Sequence, residues 1–202
     1  MMRPPVAVRG AVDADRAVTA TVLARAFIDD PAMGFLFPET ATRPLRLDRF
    51  FALMIRLDPG AANWSLALDG ETPVAAAVWR APGDWNTPTV TMLSHLPQMI
   101  GAFGWALPRA LAMQTAMERS HPHAPHWYLQ FAGCVPEAQG RGFGGAAIRA
   151  RLAHCDAAGL PAALETATEG NLAIYAALGF VVTGEHRYDK GPDFWTMWRD
   201  PR

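Results

Sequence analysis

Hydrophobic positions along the chain recur with two spacings, which predict an alternation of helices and strands. Apolar residues follow Asp13 and Asp15 at helical spacing, and they recur on one side of the stretch from Leu45 to Leu57. Each stretch predicts an amphipathic helix. The first helix is expected to stop at Asp29-Asp30-Pro31, because the residue before a proline avoids the helical region.

Strands are predicted where apolar and polar residues alternate, or where a short apolar run is bounded by turn residues. The segment from Trp64 to Leu68, the turn at Asp69-Gly70 and the run from Val74 to Trp79 predict a β-hairpin. Further strands are predicted over residues 6–9, 126–135 and 162–166 and in two last segments around Gly184 and Gly191, the second covering Phe194 to Arg199. Further helices are predicted in the region 87–119, interrupted by Pro97 and Pro108, and over residues 142–158 and 171–178.

The predicted order, β-α-α-β-β-α-α-β-α-β-α-β-β, is typical of a mixed α/β (α+β) fold. No linker or change of composition divides the chain, so residues 1–202 are expected to form a single domain. Hydrophobic residues make up 50% of the chain and charged residues 18%, as in ordinary globular proteins.

Charge and cysteine content exclude several classes of function. The 18 basic and 19 acidic side chains nearly cancel, which argues against nucleic acid binding by bulk charge. Two cysteines, Cys134 and Cys155, are too few for a disulfide scaffold and indicate a reducing compartment. The longest apolar run, from Leu96 to Leu107, is too short for a membrane span, and no signal peptide is expected at the N-terminus. The chain is therefore expected to be soluble and cytoplasmic, with neither nucleic acid nor membrane as a partner.

The most informative stretch is the glycine-rich segment 139–145, Gln-Gly-Arg-Gly-Phe-Gly-Gly, between an apolar strand and a helix. Glycines let the backbone turn tightly and approach a ligand, and the first N–H groups of a helix bind pyrophosphate well. A tight turn that binds nothing is the plain alternative.

The same segment also matches a dinucleotide fingerprint. Gly140, Gly142 and Gly145 fit G-x-G-x-x-G, and Glu165 follows as the acidic residue. Too little chain follows Gly145 for the further βαβ units that such a fold needs, which favours a nucleotide-bearing thioester instead.

Other motifs accompany this loop in order along the chain. Val135-Pro136-Glu137 precedes Gln139, and the segment Asn171 to Tyr175 is followed by Leu178-Gly179-Phe180. With Gln139, Gly142 and Gly144 in register at the start of a helix, these motifs resemble those of the GNAT superfamily of N-acetyltransferases. The likeness extends to the branch that contains puromycin N-acetyltransferase. That branch is matched by His126–Leu129, Leu164–Thr166, Gly191-Pro192, Trp195–Met197 and Ala26-Phe27 with Asp30-Pro31.

The resemblance implies a mixed, splayed β-sheet flanked by helices and an acetyl-CoA-dependent N-acetyltransferase. The acceptor would be a primary amine of a small molecule, which attacks the thioester directly. The strand before the loop would bind pantetheine along its free edge, with a bulge expected at Gly133. The residues implied in binding acetyl-CoA are Ala132, Gly133, Cys134, Gln139, Gly140, Arg141, Gly142, Phe143, Gly144, Gly145 and Asn171.

Two residues are expected to carry the chemistry. By resemblance, Tyr175 donates a proton to the CoA thiolate, although a tyrosine on a short helix is otherwise often a core residue. Glu165, a carboxylate in an apolar strand, is the best candidate for the general base, or else a strand residue paired with a neighbour. Some family members carry a glutamate on the strand before the loop, where this chain has Tyr128 and Gln130. Asn171 would bond pantetheine or the backbone, or cap its helix.

Three other signals stay open. His121, His123 and His126 could bind a metal, but the prolines between them favour a plain loop, and no metal is expected. The helices between Thr87 and Met117 are either packing or a lid. Several aromatic residues either line an acceptor pocket or fill the core: Phe35, Phe37, Trp64, Trp79 and Trp85.

Two other functions remain, a non-catalytic acyl-CoA sensor and a dinucleotide enzyme, and a homodimer is a possible assembly.

Overall fold

A computed structural model of the chain describes residues 5–85, 91, 94–188 and 191–202, so the start of the predicted helical region 87–119 lies largely outside the described residues. The strands are β1 (Ala7–Gly10), β2 (Ser65–Asp69), β3 (Thr72–Arg80), β4 (Trp127–Cys134), β5 (Ala162–Thr166), β6 (Val181–His186) and β7 (Phe194–Arg199). The helices are α1 (Arg16–Ala26), α2 (Pro31–Leu36), α3 (Arg43–Leu57), α4 (Leu96–Phe103), α5 (Leu107–Ser120), α6 (Phe143–Ala157) and α7 (Leu172–Ala177).

All seven strands form one sheet in the order β1-β2-β3-β4-β5-β7-β6. Neighbouring strands are antiparallel except for the central pair of β4 and β5, which is parallel. The predicted mixed sheet flanked by helices is confirmed. A dinucleotide-binding fold requires a mostly parallel sheet, so this topology contradicts the fingerprint interpretation of Gly140, Gly142 and Gly145.

The central pair separates shortly after it begins. Only Trp127, Tyr128 and Leu129 of β4 pair with β5, and the rest of β4 pairs with β3 alone. Beyond Leu129, therefore, β4 has an edge that no strand of the described residues covers, as expected for a splayed sheet. This edge ends at Cys134, immediately before the glycine-rich segment.

The bulge in β4 lies earlier than expected. Val78 pairs with Phe131 and Trp79 with Leu129, which leaves Gln130 as the extra residue, whereas Gly133 pairs regularly with Ala76. The prediction of a bulge at Gly133 is therefore wrong. A Cβ atom at Gly133 would lie 2.6 Å from the Cβ of Ala26. Glycine is needed there because α1 packs closely against the strand.

Three prolines that were expected to stop or interrupt helices begin helices instead. Pro31 stands in the first turn of α2, an element that the sequence analysis did not predict, and the Asp30 side chain accepts hydrogen bonds from the first N–H groups. Pro97 and Pro108 likewise lie in the first turns of α4 and α5, and the break between these helices is at Gly104, whose φ is 53°. In the described part of the chain, no helix is long and apolar enough to cross a membrane.

Helices α1 and α3 cover one face of the sheet beside the splay, and phenylalanine side chains fill the space between them. The ring of Phe131 on β4 lies 5.3 Å from that of Phe51 and 6.2 Å from that of Phe27, both in edge-on contacts. Phe50 contacts Phe51 at 4.9 Å in the same geometry. Such tilted pairs are favourable beyond the area they bury, so this cluster holds α1 and α3 firmly against β4.

Candidate active site

The glycine-rich segment forms a tight turn that leads from β4 into α6. Gly140 and Gly142 have φ values of 70° and 89°, which favour glycine. Gly142 is the N-cap of α6 and has no side chain to cap the first turn, whose first backbone hydrogen bond runs from Ala146 N to Gly142 O. A Cβ atom at Gly140 or Gly142 would meet nothing within 4 Å. The turn is thus an open concave backbone surface at the positive end of a 15-residue helix.

Two arginines lie beside this turn, and their partners differ. Arg141, the cation expected at the rim, donates two hydrogen bonds to Asp69 at 2.6 and 2.9 Å and lies over the ring of Phe143. Arg149, which the sequence analysis missed, is exposed, and its Nη2 lies 3.4 Å from where a Cβ of Gly145 would be. The Arg149 side chain makes no ion pair or hydrogen bond with any described residue. The sequence could have indicated this residue, because Arg149 stands four residues after Gly145 and therefore one turn further along the same face of the helix.

Other predicted cosubstrate residues hold the turn and strand in shape. The Gln139 side chain donates to the Cys134 carbonyl at 3.1 Å, which ties the turn to the end of β4. The Phe143 ring is buried in the core, so only its backbone faces the turn. Burial raises the pKa of the Cys134 thiol, which agrees with its interpretation as a packing residue.

A cavity of about 280 Å³ opens beside the splayed part of β4. Four predicted residues line it together, namely Ala132, Glu165, Asn171 and Tyr175, whereas the glycine-rich turn, Gly133 and Cys134 lie outside it. The site therefore has two parts. One is the cavity, and the other is the turn at the end of the same strand.

Tyr175 stands on the short helix α7 and is 8% exposed. The residue lines the cavity, and its hydroxyl makes no hydrogen bond with any described residue. Burial first, and then the charge of Asp30, raise the pKa of Tyr175 to about 12. Asp30 itself caps α2 with one carboxylate oxygen and accepts from the Thr168 hydroxyl at 3.2 Å with the other. Tyr175 is therefore held in its neutral, proton-bearing form.

Asn171 is the N-cap residue of α7, but its side chain makes no capping hydrogen bond. Instead, it belongs to the cavity wall. The structure thus removes the capping interpretation, and a role of Asn171 in binding pantetheine stays a prediction.

Glu165 points from β5 into the same cavity, and its side chain is only 2% exposed. Its Oε1 lies 3.2 Å from Nδ1 of His121, whereas its Oε2 has no hydrogen-bond partner among the described residues. Burial, followed by the charge of Glu165 and a side-chain hydrogen bond to it, raises the pKa of Tyr128 well above its ordinary value. Tyr128 and His121 are therefore both neighbours of the Glu165 carboxylate.

The three histidines lie in the loop between α5 and β4, but in different surroundings. His121 ends α5 and His126 precedes β4, and both are buried, whereas His123 is exposed. The rings of His121 and His126 lie 4.9 Å apart, and Trp85 stacks on His121 at 4.0 Å. The described residues contain no group of three side chains that could hold a metal ion. The segment is therefore a loop, as the prolines predicted, but the sequence did not show that Glu165, distant along the chain, contacts His121.

Most of the aromatic residues for which the sequence left acceptor pocket and core open belong to the core. Trp85 lines the cavity, whereas Trp64 and Trp79 are fully buried and Phe37 packs against Phe50 and Phe103. Phe35 contacts Tyr188. The apolar wall is made by phenylalanines and methionines of several helices and β4, among them Phe27, Met33, Phe50, Met54, Met99, Phe103, Met113, Met117 and Phe131. The helices α4 and α5 thus form part of this wall.

No protein-family model matches the chain. Its fold is similar to that of a histone acetyltransferase HPA2 and related acetyltransferase from Corynebacterium glutamicum, with 27% identity, 98% of each chain covered and a TM-score of 0.75. It is also similar to a polyamine N-acetyltransferase from Drosophila melanogaster, with 15% identity, 97% of this chain and 100% of that chain covered and a TM-score of 0.58. A NatC complex bound to Gag peptide and CoA matches with 11% identity, coverage of 98% and 100% and a TM-score of 0.55. These structural neighbours are N-acetyltransferases, and the GNAT-like fold predicted for this chain is confirmed.

Proposed function

We propose that this chain transfers the acetyl group of acetyl-CoA to a primary amine of a small, largely apolar molecule, with Tyr175 as the proton donor to the CoA thiolate. The comparisons confirm the predicted enzyme class, an acetyl-CoA-dependent N-acetyltransferase. The acceptor, the direct attack and the residue roles are the proposal. The observation that carries it is the meeting of Tyr175 and Glu165 in one cavity beside the free edge of β4.

The chain offers a continuous surface for the cosubstrate. The free edge of β4, which includes Ala132, Gly133 and Cys134, can hydrogen-bond the amides of pantetheine. At its end, the turn from Gly140 to Gly145 and the start of α6 present backbone N–H groups for the pyrophosphate. Arg149 has no competing partner among the described residues, so it is better placed than Arg141 to supply a cation there.

The pKa of Tyr175 constrains how it acts. Complete transfer of a proton from a phenol with a pKa of about 12 to a thiolate with a pKa near ~8.5 would cost about 5 kcal/mol. Tyr175 therefore does not become a free phenolate. It donates as the C–S bond breaks and regains a proton from the amine nitrogen.

The cavity indicates the kind of acceptor. Its wall of phenylalanine and methionine side chains favours an apolar body, and methionine adapts to varied shapes. Its volume of about 280 Å³ is small for a ligand pocket, which favours a compact molecule. A structural neighbour acts on polyamines, which supports amine acetylation generally. The likeness to the puromycin N-acetyltransferase branch, a cytoplasmic location and a homodimer stay predictions.

Ligand-dependent melting of the purified protein tests the proposal at its first step. A ligand present at about 100 times its Kd stabilises the folded state by about 2.7 kcal/mol. We expect acetyl-CoA and CoA to raise the Tm by several degrees and NAD to leave it unchanged. A shift with NAD alone would contradict the proposal. A shift with acetyl-CoA, but no CoA release with any amine, would instead favour the non-catalytic acyl-CoA sensor.

A further inference from the structure

The ion pair between Asp58 and Arg80 is the most buried arginine–carboxylate pair among the described residues. The two side chains are 1% and 4% exposed, and Nε of Arg80 lies 3.0 Å from Oδ2 of Asp58. Oδ1 of Asp58 accepts hydrogen bonds from Gly60 N at 3.1 Å and from Trp64 Nε1 at 3.0 Å, which fix the carboxylate. A buried ion pair adds little net stability over apolar side chains of similar volume, and its best-attested use is to fix one register among several.

Arg80 connects this ion pair to the bulge in β4. Its Nε donates a hydrogen bond to Oε1 of Gln130 at 2.9 Å, and its Nη1 donates to the Asp84 carbonyl at 3.3 Å. Gln130 is the extra residue of the bulge, and Arg80 itself pairs with Tyr128, two residues earlier. A buried and fixed charge therefore holds the side chain of the extra residue.

The bulge decides to which face the later side chains of β4 point. Successive side chains of a strand point to opposite faces, so one extra residue exchanges the faces of all the residues that follow it. With the bulge, Gly133 lies opposite Ala76 and faces α1, where a Cβ atom would lie 2.6 Å from that of Ala26. Without the bulge, the register at the start of β4 would continue, and Ala132 would lie opposite Ala76 with a Cβ atom where α1 leaves no room.

The bulge also decides which backbone groups the free edge of β4 presents. Along a strand, the N–H and C=O groups of alternate residues point to opposite edges. One extra residue therefore exchanges the groups that face β3 with those that face the uncovered edge. Ala132, Gly133 and Cys134, which are expected to bind pantetheine, all follow the bulge in the chain.

We propose that Arg80, held by Asp58, is a positioning residue for acetyl transfer, because it fixes the bulge at Gln130 and the bulge selects the backbone groups that β4 offers to pantetheine. This inference rests on the proposed binding of pantetheine along the free edge of β4. Neither charged side chain needs to touch the cosubstrate. What the ion pair contributes is a single register of the strand.

Arg80→Met removes the hydrogen bond to Gln130 and leaves the buried Asp58 without its counter-charge. We expect the Tm to fall and the Kd of acetyl-CoA, measured by calorimetry without an amine, to rise about tenfold. We also expect kcat/KM for amine-dependent CoA release to fall about 10²-fold. Arg80 lines the cavity, so the Kd without an amine separates the position of the strand from any contact between Arg80 and the acceptor.

A double variant separates position from stability. In Asp58→Asn/Arg80→Met both charges are removed, and the asparagine oxygen still accepts from Gly60 and Trp64, so the Tm should return toward that of the wild type. Gln130 still lacks its donor, so the Kd and kcat/KM should stay close to those of Arg80→Met. Recovery of all three quantities together, or an unchanged Kd in Arg80→Met, would overturn the inference, because the ion pair would then only stabilise the fold.

Arg199 on β7 offers a matched control. Its side chain is 5% exposed and forms an ion pair with Asp156 at 2.7 Å, and it does not line the cavity. Arg199→Met should lower the Tm but leave the Kd of acetyl-CoA and kcat/KM, both taken per folded protein, unchanged. If Arg199→Met lost as much affinity as Arg80→Met, the loss would follow from breaking any buried ion pair, and the assignment to Arg80 would be wrong.

Backbone amide NMR reports on the bulge without turnover. The ¹H–¹⁵N signals of Gly133 and Cys134 should shift in both variants that carry Arg80→Met and stay in place in Arg199→Met. Unmoved signals in the first two would refute the coupling of the ion pair to β4. If the signals shift but the wild type binds no acetyl-CoA, the failure belongs to the proposed function and not to the coupling of Arg80 with the bulge.

Discussion

Tyr175→Phe is expected to lower kcat by a factor of about 10²–10³ while changing the Kd of acetyl-CoA by less than about twofold. The hydroxyl is the only group removed, and it makes no hydrogen bond with the described residues, while Tyr175 itself lines the cavity. The ring contact with Phe180, at 6.1 Å between centroids, remains. Single-turnover kinetics and calorimetric titration measure the two quantities.

A matched control distinguishes lost chemistry from lost packing. Tyr188 contacts Phe35 and does not line the cavity, so Tyr188→Phe should keep the wild-type kcat. Both variants should melt within a few degrees of the wild type. If Tyr175→Phe kept kcat within about threefold of the wild type, Tyr175 would be a core aromatic and not the proton donor.

Gly144→Asp is expected to weaken acetyl-CoA binding by a factor of about 100 or more without destabilising the protein. A carboxylate in the first turn of α6 favours the helix, because it interacts with the positive end of the helix dipole. The same carboxylate repels pyrophosphate at the turn by several kcal/mol at about 4 Å. Calorimetry gives the Kd, and the Tm without ligand shows that the fold is intact.

Gly144→Ala separates the charge from the added side chain. A Cβ atom at Gly144 would lie 3.8 Å from the Cβ of Cys134, an ordinary contact. We expect the alanine variant to bind acetyl-CoA within a few-fold of the wild type. Equal affinity in the aspartate variant would place the pyrophosphate elsewhere and remove the turn from the site.

The sequence was most informative where local pattern decides structure. Alternation and turn residues predicted the β2–β3 hairpin, and the order of elements with the glycine-rich turn predicted the mixed sheet. Helix α2 was missed because the dipeptide Asp30-Pro31 is compatible with two local structures. It can stop a preceding helix, and its carboxylate can also cap the next one, with proline in the first turn.

The site was harder to predict, because it depends on contacts between distant segments. His121 and Glu165 are separated by 44 positions, so neither spacing nor periodicity connects them. A glycine in the middle of a strand suggested a bulge at Gly133. In the structure, the missing side chain makes room for α1, and the sequence of the strand alone does not show this contact. The sequence could not show which of Arg141 and Arg149 is the better candidate to bind pyrophosphate. The structure shows that Arg141 already donates hydrogen bonds to Asp69.

Amine-dependent release of CoA is the most direct measurement of acetyl transfer by this chain. The purified protein would be mixed with acetyl-CoA and a panel of small amines, from polyamines to amines with apolar or aromatic bodies. Free thiol and acetylated product would be quantified in the same sample. We expect one free thiol for each acetylated amine, and faster turnover of the amines with apolar bodies than of the polyamines. Tyr175→Phe should lose this turnover. Binding of acetyl-CoA with no thiol release for any amine, or release that ignores the amine, would contradict this expectation.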